Sequence, residues 1–205
     1  MEHLVQPALA FIAAHSDWAV AVMFVTAFVE SFLFLSLLFP GTSLLIAGGA
    51  LVSAGSLPYL PTVAGAVGGA VLGDAVSFWI GGRFGRTVGR VRPFTRRPEL
   101  LARGVRFFAR HGGKSVFIGR FFGPVRAVIP LAAGIMDMPP GRFWVANIGS
   151  AIVWAPMLPF AGNVAGVIGG QLIGRERFLA LALGGIALFG IAGLVWVVFG
   201  RHRRS

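Results

Sequence analysis

Residues 61–82, PTVAGAVGGAVLGDAVSFWIGG, contain a single ionisable side chain, Asp74. About 20 consecutive apolar residues suffice to cross the ~30 Å hydrocarbon core of a bilayer. In hydrocarbon every backbone N–H and C=O needs a protein partner, so a linear span of this kind must be helical. The run is not isolated. Residues 17–37 carry only Asp17 and Glu30 as ionisable groups, and residues 143–173 carry none. A last apolar run, 178–200, ends in the basic tail RHRRS. With 56% hydrophobic and 12% charged residues, the chain lacks the polar side chains to cover a soluble surface of its size. The pattern predicts an all-α polytopic membrane protein, folded as one integral membrane domain over residues 1–205.

The formal net charge of +11 raises the question of nucleic acid. The distribution argues against it. Ten of the 18 basic residues fall between Arg83 and Lys114, where Glu99 is the only acid. Basic clusters beside apolar runs mark cytoplasmic loops and attract anionic headgroups. The segment 83–114 and the C-terminus are therefore expected in the cytoplasm. Within that segment PELLARGVRFFARHG can start a helix at Pro98. Leu101, Val105 and Phe108 would share one face and Arg103, Arg106 and Arg110 another, as in a helix lying on a membrane surface. A solvated basic loop is the alternative.

The chain has no cysteine, which excludes disulfides and thiolate chemistry. Its four histidines (His3, His15, His111, His202) are scattered without paired ligand spacing, so neither a metal nor another cofactor is expected. The N-terminus MEHLVQP lacks a basic n-region, which argues against a cleaved signal peptide. Residues 1–16 read as a short amphipathic or interfacial helix.

Two halves resemble each other. Each begins with an apolar segment broken by Pro and Gly, at 30–55 and 115–137, and continues into a glycine-rich span. Gly65, Gly69 and Gly73 recur at spacing four, as do Gly162, Gly166, Gly170 and Gly174. Small residues on one face let helices approach closely in lipid, and would also permit homo-oligomers. The breaks fall at Pro40, Gly41 and Thr42 in the first half and at Gly123, Pro124 and Pro130 in the second. With 83–114 and the tail on one side, the two broken segments must enter from opposite faces. The expected architecture is an inverted repeat with two opposed re-entrant hairpins. Repeat one covers about 17–82 and repeat two about 115–173, with a bend expected at Pro156 and Pro159, before the final span.

Glu30, Asp74, Arg120 and Arg126 are the informative residues. An ionisable group in a membrane segment costs roughly 2.5–3.5 kcal/mol on insertion scales, and broken backbone is tolerated there only inside protein or against a wet cavity. The four residues are thus expected around a common interior. They could be plain ion pairs, Arg120 with Glu30 and Arg126 with Asp74. Against that, buried pairs add little net stability, and these charges coincide with the helix breaks. A guanidinium fork suits phosphate oxygens. An anion site with apolar surroundings points to a lipid phosphate headgroup, with Glu30 exchanging protons or competing for an arginine and Asp74 a second candidate for proton coupling or gating.

The segment FIGRFFGPVRAVIPLAAGIMDMP resembles the signature of the DedA family, part of the wider SNARE-associated/VTT membrane superfamily. ESFLFLSLLFPGTSLLIAGG, LGDAVSFWIGGRFGR and NIGSAIVWA follow the family order, so that the resemblance covers roughly residues 25–170. It implies a bacterial inner-membrane protein with two re-entrant hairpins that flips undecaprenyl phosphate or a phospholipid such as phosphatidylethanolamine. It maps the family's essential arginines onto Arg120 and Arg126 and its embedded glutamate onto Glu30. Asp74 matches a recurrent Gly-Asp pair. Thr42 stands where many members carry an acid directly after PG, a departure that bears on the family's two-acid proton coupling. Asn163 replaces a frequent aromatic.

Three other functions compete with a lipid flippase: a proton-coupled transporter of small solutes or ions, an enzyme acting on lipid headgroups, and a scaffold for envelope assembly. The enzyme reading lacks a nucleophile, since no histidine lies beside the arginines.

Overall fold

The longest helix, α4 (Tyr59–Val88), extends the apolar run 61–82 at both ends and carries Asp74 near its midpoint. The computed structural model describes residues 14, 16–36, 41–53, 55–88, 94–95, 98–122, 126–174 and 181. The helix expected over 1–16 and the span expected over 178–200 fall almost wholly outside the described residues, as do Pro40, Gly123 and Pro124. Every regular element among the described residues is a helix. Before α4 come α1 (Ser16–Ser31), α2 (Leu33–Ser36) and α3 (Gly41–Ser53). After it come α5 (Pro98–His111), α6 (Lys114–Gly119), α7 (Val128–Ile135), α8 (Pro140–Trp154) and α9 (Met157–Ile173). Two stretches, Tyr59–Gly85 and Pro140–Ile168, are long and apolar enough to cross a membrane.

Local chemistry sets the ends. Gly55 at φ +76° closes α3, its N–H donating to Val52 O at 3.0 Å while that of Ser56 reaches Leu51 O at 2.9 Å. Pro98 and Pro140 open α5 and α8, at positions whose N–H would have no helical partner. Gly112 at φ +58° ends α5, and Asp137 at φ 53° turns the chain between α7 and α8. Between α1 and α2 the helix is interrupted at Phe32. The Leu33 N–H turns across to α4, where the Ser77 hydroxyl accepts it at 3.3 Å.

Two expectations about proline are corrected. Pro130, expected at a hairpin break, is the third residue of α7, in a first turn that has no intrahelical use for its N–H. The bend in 143–173 falls at Ala155–Pro156 alone. Pro159 sits in the first turn of α9, and the Leu158 N–H donates to Ala155 O at 3.1 Å across the junction. At the first break, α2 ends at Ser36, and Gly41 and Thr42 already belong to α3.

Glycines fix the helix crossings. Gly65, Gly69 and Gly73 lie against the carbonyls of Val20, Phe24 and Phe28, so one face of α4 seats on the backbone of α1. A Cβ at Gly65 or Gly73 would stand 2.7 Å from the Val20 or Phe28 oxygen. The other half of α4 meets α7, where a Cβ on Gly134 would lie 2.7 Å from Gly82 N. A comparable contact joins α3 to α9, with a Cβ on Gly162 2.7 Å from Ile46 O and one on Gly49 2.9 Å from Pro159 N. The Ser53 hydroxyl donates to Pro159 O at 2.8 Å in the same seam. Close backbone approach of this kind is how helices associate where no hydrophobic effect drives them together.

Helix α5 is amphipathic as its spacing predicts. Leu101 packs beside Leu33, Phe94 and Val128, and Val105 and Phe108 beside Ile129, Ala132 and Phe143. Arg103, Arg106 and Arg110 are exposed. The expected surface helix therefore spends its apolar stripe on α7 rather than on lipid, and a plain solvated loop is ruled out for Pro98–His111. Large hydrophobics stay exposed along the spans, among them Trp79, Val145, Ile152 and Leu172. A surface of this kind suits a lipid environment.

Candidate functional site

Glu30, Asp74, Arg120 and Arg126 meet among α1, α4, α8 and the ends of α6 and α7. Gly73 makes this possible. It brings α1 within backbone contact of α4 one residue before Asp74, at the turn of α1 that carries Glu30 and Ser31. Glu30, Asp74 and Arg120 are buried, and the Arg126 side chain keeps 11% of its surface.

The pairing is crossed relative to the pairs read from the sequence. Arg120 bonds Asp74, and Arg126 lies against Glu30 with Nη1 3.3 Å from Oε1. The reason is positional. Arg120 follows the last residue of α6, which runs beside α8, and the two face the middle of α4 together. Gly119 permits the approach, because a Cβ there would collide with the Ile129 side chain of α7.

Arg120 is held on three sides. Nη2 donates to the Asp74 carboxylate and to Asn147 Oδ1 at 2.6 Å, and Nε donates to Ser150 Oγ at 2.8 Å. Asn147 is anchored in turn by Nδ2 donating to Val71 O at 3.0 Å, and the Ser150 hydroxyl donates to Asn147 O at 2.9 Å. Asn147, Ser150 and Trp154 recur at three and four residues, on one face of α8. Trp154 lies beneath both guanidinium groups, 4.6 Å from Arg126 Cζ and 5.9 Å from Arg120 Cζ. These distances fall in the cation–π range.

Asn147, Ser150 and Trp154 were not singled out by the sequence as site residues. A signal existed, since an Asn and a Ser three apart in a span without ionisable groups need partners. Of the break residues, Gly41 and Thr42 begin α3, and Pro130 packs in the buried face of α7.

Arg126 is less engaged. Among the described residues its Nε and Nη2 have no hydrogen-bond partner, although both atoms are buried. These two nitrogens form one edge of the guanidinium plane, the edge that accepts two oxygens of a carboxylate or phosphate side by side.

The VTT domain family matches residues 39–164, the stretch from just before α3 into α9. Inner membrane protein YabI of Escherichia coli K12 is 30% identical over 84% of this chain and 69% of its own. Protein DedA of the same strain is 29% identical over 95% of this chain and 88% of its own. Inner membrane protein YghB, again of that strain, is 34% identical over 72% and 68%. No solved structure matches the chain. The family match includes Asp74, Arg120, Arg126 and the face of α8 beneath them, and on these grounds the chain belongs to the DedA family of VTT-domain membrane proteins.

Proposed function

We propose that this chain is a bacterial inner-membrane lipid transporter that moves undecaprenyl phosphate, or a phospholipid such as phosphatidylethanolamine, across the bilayer. The Nε–Nη2 edge of Arg126, unpartnered among the described residues, carries this reading. It lies beside a helix break, at the level where α8 gives way to α9 in the middle of a membrane-length stretch. A buried guanidinium edge without an acceptor is expensive, and a lipid phosphate offers two oxygens with the right spacing. Because both nitrogens are buried, the phosphate reaches them only when the surrounding helices part. Glu30 competes for the same guanidinium from its Nη1 side. Protonation of Glu30 would release Arg126 to the phosphate, which is how a proton gradient could drive the cycle.

The inverted-repeat reading supports alternating access. α4 meets α1 with its first half and α7 with its second, while α8 meets α6 and α9 meets α3. α4 thus packs on α1 and on the broken segment of the second repeat, while α9 packs on the broken segment of the first. We place the basic segment 83–114 and the C-terminus in the cytoplasm. The site is read as transporting rather than catalytic. The Ser150 hydroxyl beside Arg120 accepts from Arg120 Nε and donates its own hydrogen bond to Asn147 O.

Reconstitution in liposomes with a labelled lipid phosphate tests the assignment. Arg126→Ala should abolish movement and Arg126→Lys should restore little, because an ammonium lacks the planar fork. Wild-type rates in Arg126→Ala would sink it. Solute-dependent proton flux without lipid movement would favour a small-solute transporter instead.

A further inference from the structure

An open groove of about 890 Å³ lies between α6 and α8, on the outer side of the helices that hold Arg120. That volume is typical of ligand clefts, roughly 300–1,000 Å³. Its lining is of two kinds. His111, Lys114 and Arg142 come from the end of α5 and the first turns of α6 and α8, and all three are exposed. Beyond them the trough is apolar and runs past Phe117 and Val145 to Gly149. Among the described residues, Lys114 and Arg142 have no ion pair, so their charges are unanswered.

The polarity is ordered along the membrane axis. Arg142 stands at the start of the spanning stretch Pro140–Ile168, where headgroups belong. Seven residues of helix separate it from Gly149, about 10 Å at 1.5 Å per residue. The groove therefore descends from headgroup level well into one leaflet. Gly149 forms the floor without crowding it, since a Cβ there would meet only the Phe117 ring, at 3.7 Å.

We propose that this groove holds one anionic membrane lipid, with its phosphate on the Lys114–Arg142 rim and one chain along Phe117 and Val145. The charge complementarity selects an anionic headgroup over a zwitterionic one, and the apolar trough selects a lipid over a free phosphate ion. The site is separate from the buried arginines, and the inference requires only that the chain sits in a membrane, not that it moves lipid.

Native mass spectrometry of the purified full-length protein tests it, with dioleoyl-phosphatidylglycerol and dioleoyl-phosphatidylcholine as probes. Wild type should retain one phosphatidylglycerol about tenfold more tightly than phosphatidylcholine, given the contribution of each basic residue near a headgroup. Lys114→Gln with Arg142→Gln should erase that preference. Val145→Trp, at a position 77% exposed, should fill the trough without disturbing the core and lower retention of both lipids at least threefold. Arg103→Gln, at an exposed basic position outside the groove, should leave phosphatidylglycerol retention unchanged. Equal retention of the two lipids by wild type, or wild-type retention in either groove variant, overturns the proposal. Loss of the preference in Arg103→Gln overturns it as well, by reducing it to a general effect of basic charge.

Discussion

Arg120 and Arg126 lie six residues apart, share the Trp154 ring and each face a carboxylate, yet they are built into the protein differently. Arg120 engages a carboxylate, an amide and a hydroxyl, and so ties the end of α6 to α4 and α8. Arg126 has one carboxylate at 3.3 Å and a ring face, and keeps a whole edge of donors unpartnered among the described residues. Arg120, with only Nη1 unpartnered among the described residues, is a strut, and under the proposed function Arg126 is a hand. The family resemblance alone treats the two as equivalent.

The largest expected effect tests the strut. Arg120→Ala removes the partner of a buried aspartate and orphans Asn147 Oδ1. Removing one member of a buried pair costs about 3–5 kcal/mol. Thermal unfolding of purified protein should show a large fall in Tm, and Arg120→Lys should recover only part, since one ammonium cannot serve all three acceptors in this geometry. If Arg120→Ala melts with wild type, the distinction between the two arginines collapses.

The hand predicts a split between stability and function. Arg126→Ala should destabilise less than Arg120→Ala, because it forfeits one longer ion pair and a ring contact where Arg120→Ala forfeits three side-chain hydrogen bonds. Its cost comes from the Glu30 ion pair and the Trp154 ring contact. Adding Glu30→Gln to Arg126→Ala should not regain lipid transport. A double-mutant cycle on Tm and on transport measures both terms. Recovery of transport in the double variant would make Arg126 a counter-ion to Glu30 and nothing more.

Much of this site was legible in the sequence, because ionisable residues in apolar runs are costly enough to be conspicuous. That argument found Glu30, Asp74, Arg120 and Arg126. It could not pair them. Pairing depends on the register of α1 against α4, which Gly65, Gly69 and Gly73 fix through backbone contacts invisible to hydropathy. The helix over Pro98–His111 was readable from its period, but its apolar stripe faces α7, and periodicity does not name what covers a face. Pro130 misled for a related reason. A proline breaks a helix interior and sits comfortably in a first turn, so its effect depends on where the helix begins. Asn147 and Ser150 escaped because they are neutral. Their importance comes from Arg120, which lies 27 and 30 residues away in the chain.

Trp154 offers a finer discriminator, because its ring lies nearer to Arg126 than to Arg120. Trp154→Leu keeps an apolar side chain and deletes the ring face. A partly desolvated cation–π contact contributes about 0.5–2 kcal/mol. The variant should slow transport several-fold more than it lowers stability, and Trp154→Phe should restore most of the difference. If the loss appears entirely in Tm, the ring is packing for the core around Ala155 and Leu158, where it is also buried.

The smallest effect belongs to Ser150→Ala. It removes one acceptor from Arg120 Nε and leaves the Asp74 and Asn147 contacts standing. One hydrogen bond to a charged group contributes about 1.5–3 kcal/mol at most, less whatever the two remaining partners recover. Tm should fall slightly and transport should be close to wild type, because the Arg126 edge is untouched. Asn147→Ala should cost more than Ser150→Ala, since it also removes the bond to Val71 O that ties α8 to α4. The order Arg120, then Asn147, then Ser150 in Tm, with transport tracking Arg126 instead, is the signature of a strut beside a hand. A Ser150→Ala protein that is stable but inactive would reverse it, and would move the lipid contact from Arg126 to the Arg120 side of Trp154.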